Sequence, residues 1–157
     1  MAITVQITFN KDLEVTCDVK TAFDLLVDVP KTTALYPKLD KLVNIEGSTY
    51  RWEMAKIGAA GLNFQTVYTV KYTNDGAARI NWEVVEGNKN DNAKVSGGWI
   101  ITSAGDKKTK IAFTTEAALD LPVPSLMKKV VDPVIRMEFE SQTNAFLAKV
   151  KEALSKG

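Results

Sequence analysis

Few side chains in this chain are equipped for covalent or proton-transfer chemistry. Histidine is absent and Cys17 is the only thiol. That excludes His-dependent triads, a His general base, His-ligated zinc and any cysteine-rich metal centre. No Walker loop or G-x-G-x-x-G occurs, and the loop "NKNDNAKVSGGW" lacks the acidic twelfth residue of an EF-hand. No cofactor is called for. What stands out is a set of rings and hydroxyls in alternating runs. In "STYRWEMAKIGAAGLNFQTVYTVKYTNDG", Tyr50, Trp52 and Met54 share one parity, and so do Phe64, Thr66, Tyr68, Val70 and Tyr72. On strands, residues of one parity face one side. Such a face can bind apolar matter, with rings supplying affinity and a few hydroxyls setting orientation. Acid–base work there would fall to Tyr50, Tyr68 or a desolvated glutamate.

Trp82, Trp99 and Phe113 extend the same face, so that eight of the thirteen aromatic residues point to one side. Arg51, Glu53, Gln65, Lys71, Arg79, Asn81 and Glu83 take the other side, as expected of a sheet with one face in water. Near the C-terminus, Ile135, Phe139, Phe146, Leu147, Val150 and Leu154 fall along one helical stripe. Gln142 and Thr143 interrupt it. In a tight core each would need a hydrogen-bond partner or cost about 1–3 kcal/mol; in a cavity each could meet water or a ligand. Arg136 and Glu138 flank the stripe near the mouth, where a charge costs less than inside and either could anchor an acidic or basic ligand head; a solvated helix flank is the more ordinary reading of both. Lys128 and Lys129, beside Leu126 and Met127, could touch an anionic membrane transiently, though two lysines fall short of the usual 4–8. Cys17 reads as a buried strand residue.

These residues need elements to position them. "ITVQITF" and "LEVTC" read as strands separated by a turn at Asn10-Lys11-Asp12. Asp18 can cap a short helix through "VKTAFDLLV", and Asp28 with Pro30 starts a second that Pro37 stops. The runs "KLVNIEG", "TYRWEMAKI", "LNFQTVYTVKY", "ARINWEVV", "KVSGGWIITSA" and "TKIAFTTEAALDL" follow as strands joined by short turns. "PSLMKKVV" predicts a short helix, kinked at Pro133 into a long helix that Asp132 and Pro133 begin. The class is α+β, with a curved antiparallel sheet of about seven strands, a long C-terminal helix and two short N-terminal helices. Seven strands span roughly 30 Å, whereas one helix covers about 10–12 Å. Either the short helices close the gap or space remains beneath them.

The 157 residues suggest a single domain, 1–157, with 45% apolar and 25% charged residues. A net charge of +1 gives little support to a nucleic-acid partner. No apolar run reaches the roughly 20 residues of a membrane span. The start "MAITVQITFNKDLEV" has no basic region followed by an apolar one, and no N-x-S/T acceptor occurs. A cytoplasmic address is expected.

The segment "CDVKTAFDLLVDVPKTTALYPKLDKL", with Phe23, Leu25, Leu26, Asp28, Val29 and Pro37, resembles the opening of the START-like, or SRPBCC, superfamily of birch-pollen-allergen-type proteins, polyketide cyclases and lipid-transfer domains. "SGGWIITSAGDKKTKIAFTTEAAL" is similar to its late hairpin, and "PVPSLMKKVVDPVIRMEFESQTNAFLAKVKEAL" to its last helix. The resemblance covers nearly the whole chain and implies a helix-grip fold around an apolar cavity. It brings no catalytic motif.

The expected cavity lining is Tyr50, Trp52, Met54, Phe64, Thr66 and Tyr68, then Trp82, Trp99, Phe113, Phe139, Gln142 and Thr143. Meander parity places an expected mouth at Gly58, Gly61 and Gly87, with Leu126, Val130 and Arg136 opposite. Turn geometry alone also accounts for the glycines. Three functions stay open: a carrier for a hydrophobic or amphipathic small molecule (lipid, quinone, isoprenoid or polyketide-like), a cyclase or dehydratase in the same cavity, and a protein-interaction module with a filled core. A cavity below about 100 Å³ favours the last, and an inward carboxylate with a raised pKa favours the enzyme. Oligomeric state is not legible.

Overall fold

A computed structural model describes residues 3–59, 62–87, 89 and 91–155. The expected class is the observed one, α+β with a helix-grip arrangement. Strands β1 (Ile3–Val15), β2 (Leu39–Glu46), β3 (Thr49–Met54), β6 (Val67–Asn74), β7 (Arg79–Val84), β8 (Ala93–Gly105) and β9 (Lys108–Leu121) form one antiparallel sheet in the order β1-β9-β8-β7-β6-β3-β2. Between β3 and β6, β4 (Ile57–Ala59) and β5 (Leu62–Phe64) make a separate two-stranded hairpin. Helices α1 (Val19–Val27) and α2 (Val29–Thr33) precede the meander, and α3 (Lys128–Ser155) ends it.

The two short helices start where their caps dictate. Asp18 accepts the Thr21 amide at 2.8 Å, and Asp28 accepts that of Lys31 at 3.1 Å. Each satisfies a backbone donor that the first turn leaves without a partner. Ala22, Phe23 and Leu26 then point into the core from α1.

Three local expectations are corrected. No turn breaks the first strand at Asn10-Lys11-Asp12. β1 runs through it, thirteen residues paired in unbroken register with β9, from Ile3 opposite Leu121 to Val15 opposite Thr109. A continuous partner ladder outweighs weak strand propensity, and Lys11 is held by the Asn144 amide oxygen of α3 at 3.0 Å. The runs "TYRWEMAKI" and "LNFQTVYTVKY" are each divided. Around Gln65 the ladder is replaced by side chains: Asn92 Nδ2 donates to the Gln65 carbonyl at 2.6 Å, and Asn92 Oδ1 accepts the Val67 amide at 2.8 Å. The last helix is not split at Pro133 either. Pro133 lies inside α3 in its second turn, and Lys129, whose carbonyl its missing N–H leaves unbonded, is exposed to water.

Side-chain parity on the central strands follows the pattern in the sequence. Tyr50 lies opposite Val70 and Trp52 opposite Tyr68 on β3–β6, Tyr72 opposite Trp82 on β6–β7, and Trp99 opposite Phe113 on β8–β9. The β7–β8 pairing stops at Trp82 and Gly97. There a side chain would not fit: a Cβ on Gly97 would lie 2.9 Å from the Thr115 Cα and 2.9 Å from Trp82 Cζ2, and would collide with the Thr114 carbonyl oxygen. The missing side chain lets the Trp82 ring lie over β8. Gly97→Ala is expected to cost about 3 kcal/mol, because backbone atoms of β9 have to move. A urea titration checks this, and a loss under about 0.5 kcal/mol would show that β8 and β9 separate freely.

Candidate functional site

The rings meet beneath α1 and α2, against α3. Trp99 lies 4.7 Å from Phe113, 6.1 Å from Trp82 and 6.0 Å from Phe146 of α3, between ring centroids. A second group centres on Trp52, stacked on Tyr68 at 5.6 Å and edge-on to Tyr36 at 5.7 Å. Tyr36 follows α2 and touches Phe146 at 5.2 Å, so it closes the roof over the sheet. These rings line a cavity of about 70 Å³.

Of the expected lining, the structure brings Trp52, Tyr68, Trp82, Trp99, Phe113, Phe139 and Thr143 to the cavity wall. Tyr50, Met54, Phe64, Thr66 and Gln142 lie away from it. Tyr50 packs edge-on to Tyr72 near the sheet's other end, at 5.8 Å. Met54 and Phe64 are buried in the main core, at and beyond the end of β3, and Thr66 sits between β5 and β6 with its carbonyl accepting the Met54 amide at 2.9 Å. Gln142 is buried, but its Nε2 donates to Glu138 at 3.1 Å. Glu138 in turn accepts Lys38 at 2.8 Å. Those two partners, Lys38 first, hold its carboxyl below the usual range.

None of Gly58, Gly87, Leu126, Val130 and Arg136 lines the cavity, and Gly61 lies outside the described residues. Leu126 and Val130 face solvent, and Arg136 is paired with Asp132 at 3.1 Å. Cys17 is buried just past the end of β1. Burial, and then the neighbouring Asp18 charge, push its thiol up, so it stays protonated.

Several wall residues escaped the sequence reading. Leu26, Val29, Thr32, Thr33 and Tyr36 come from the short helices and the segment after them. The apolar stripe of α1 was visible, but its height above the sheet is set by tertiary packing. Thr32 and Thr33 spend their hydroxyls on backbone carbonyls one turn earlier, at 2.9 and 2.8 Å, so they present mainly methyl groups.

Three phenols dominate the polar chemistry. Tyr72 accepts Trp52 Nε1 at 3.1 Å. Burial pushes the Tyr36 hydroxyl up to about 12, with the adjacent Thr143 hydroxyl partly opposing it. Burial also pushes Tyr68 well up, assisted by Tyr36 and Tyr72. The Tyr68 hydroxyl has no hydrogen-bond partner among the described residues, yet it keeps accessible surface. The Tyr68 side chain lines the cavity. All three phenols are neutral at physiological pH and act as hydrogen-bond donors rather than bases. No carboxylate, lysine or arginine lines the cavity among the described residues.

Known proteins of this shape decide the fold. A START superfamily protein from Mycobacterium smegmatis superimposes with a TM-score of 0.63 at 16% identity, covering 93% of this chain and 98% of its own. The fold is START-like. The START-like arrangement is shared with the Zhui aromatase/cyclase from Streptomyces sp. R1128 (TM-score 0.63, 14% identity, 96% of this chain and 92% of that one). It is shared too with a conserved protein from Geobacillus kaustophilus (TM-score 0.67, 16% identity, 96% of each chain). No family model and no curated protein matches the sequence. No helix among the described residues is long and apolar enough to cross a membrane.

Proposed function

We propose that the chain, as one START-like unit, binds a hydrophobic or amphipathic small molecule between the sheet and α3, with Tyr68 donating a hydrogen bond to an acceptor on the ligand. The observation that carries this is a phenol on the cavity wall with no hydrogen-bond partner among the described residues. The hydroxyl is committed to no other described residue, so a ligand acceptor gains a hydrogen bond worth about 0.5–1.5 kcal/mol without breaking one inside the protein. Trp52, Trp82, Trp99, Phe113 and Phe139 supply flat apolar walls suited to an aromatic or polycyclic body. The occupant displaces wall side chains as it binds. The resting volume of 70 Å³ lies well below the roughly 300–1,000 Å³ of pockets for drug-sized ligands. Tyr36, Tyr68, Tyr72 and Phe139 are the half-buried rings of the wall.

The small volume favours a second reading, a filled core in a protein-interaction module. The cyclase reading draws support from the aromatase/cyclase shape. It would use the phenols as donors to a carbonyl, without a base from the cavity wall.

Native mass spectrometry of freshly purified protein, with solvent extraction of what it carries, separates these readings. A mass excess lost on denaturation supports binding, and the extract gives the ligand class. Tyr68→Phe is expected to leave stability within about 0.5 kcal/mol of the parent, because no protein partner is lost. It should weaken binding of the extracted ligand about 2- to 10-fold. Undiminished binding by this variant would remove Tyr68 from the role. A clean apo mass, with no binding by added apolar compounds, would favour the filled core.

A further inference from the structure

A depression of about 270 Å³ opens at the end of the sheet opposite the expected mouth, between the α1–α2 junction, the β2–β3 turn and the end of β6. Two residues, Val29 and Tyr72, line both this depression and the internal cavity. They are the partition between the two spaces. Tyr72 is a side chain rather than backbone, half-buried, and held toward the core by one hydrogen bond from Trp52. Its rotation would join the spaces.

The two sides of that partition differ in chemistry. Inward lie the rings. Outward lie polar groups with spare hydrogen-bonding capacity. Asp28 uses Oδ1 to cap α2, and its Oδ2 has no partner among the described residues. The same holds for the Ser48 and Tyr50 hydroxyls, while Asn74 commits only its oxygen, to the Gly76 amide. Asp28 is the one charged side chain among the described lining residues of the depression.

We infer that the depression is an outer subsite for the polar end of an amphipathic ligand whose apolar body occupies the ring-lined cavity, and that this end is a hydrogen-bond-donating, non-anionic group, a hydroxyl or an ammonium. The inference rests on the cavity-binding reading above. A carboxylate there would face Asp28 with no cation to offset the repulsion, whereas an ammonium would gain a charge-assisted hydrogen bond.

Three probes of one shape test it: 4-phenylbutylamine, 4-phenylbutanol and 4-phenylbutyrate, titrated at pH 7 and followed by tryptophan fluorescence. The amine is expected to bind about tenfold more tightly than the carboxylate, with the alcohol between them. Asp28→Asn keeps the cap of α2, since asparagine caps as well as aspartate. It should cancel the advantage of the amine over the alcohol, with amine affinity falling several-fold more than alcohol affinity. Carboxylate binding as tight as that of the amine, or an equal loss for all three probes in Asp28→Asn, would overturn the outer subsite while leaving the cavity reading standing. Binding by none of the three would overturn both.

Discussion

Trp99→Ala is expected to lower the free energy of unfolding by about 4 kcal/mol, a large share of what a domain of this size possesses. The indole is 3% exposed and touches three other rings, Trp82, Phe113 and Phe146. Those contacts join the middle of the sheet to α3, so truncation leaves a hole where two layers meet. Lost transfer free energy and the cost of the cavity therefore both apply, and each lost ring pair adds about 0.5–1.5 kcal/mol. Urea unfolding measures the loss, and an unchanged m-value would show that the native state alone is affected. Added indole should restore part of the stability by occupying the enlarged space. A loss under about 1 kcal/mol would mean that the layers collapse onto the gap, and that the rings are not what holds α3 over the sheet.

Raising the pH should unfold the protein before its buried phenols ionise. Tyr36, Tyr68 and Tyr72 all have hydroxyls pushed above the ordinary value of 10.0 by burial, Tyr36 to about 12. Each group's folded pKa is raised, so the unfolded chain releases these protons first. The stability they contribute is fully present below pH 10 and is lost as pH rises toward and past 12. Tyr36 alone accounts for about 3 kcal/mol over that interval, since each pH unit between its unfolded and folded pKa is worth about 1.4 kcal/mol. Thermal melts at pH 8, 10 and 11 should show a flat region and then a steep fall. Absorbance near 295 nm should report phenolate formation by these residues only together with loss of near-UV circular dichroism. Phenolate absorbance from all four tyrosines in a still-folded protein would show that water reaches the cavity.

What could be read from the chain itself was local and periodic. The alternation of Tyr50 with Trp52, and of Tyr68 with Tyr72, assigns those side chains to one sheet face whatever the partner strand, because successive strand residues point to opposite sides. The capping aspartates Asp18 and Asp28 act within three residues of themselves, so the helix starts were equally legible. The order of short helices, meander and long helix followed, and with it the fold.

Tertiary structure decided whatever depends on what lies opposite. Asn10-Lys11-Asp12 looks like a turn until β9 supplies thirteen partners in register. The break at Gln65 depends on Asn92, 27 residues further on. Gln142 and Thr143 are adjacent in the stripe, yet packing turned one toward Glu138 and the other toward Tyr36. The free hydroxyl of Tyr68, the roof formed by Tyr36 and the thin partition at Tyr72 each arise where elements distant in sequence meet. A periodic pattern specifies which face a side chain occupies. Whether that face meets another side chain or an opening depends on the distance between layers, which three-dimensional packing alone sets.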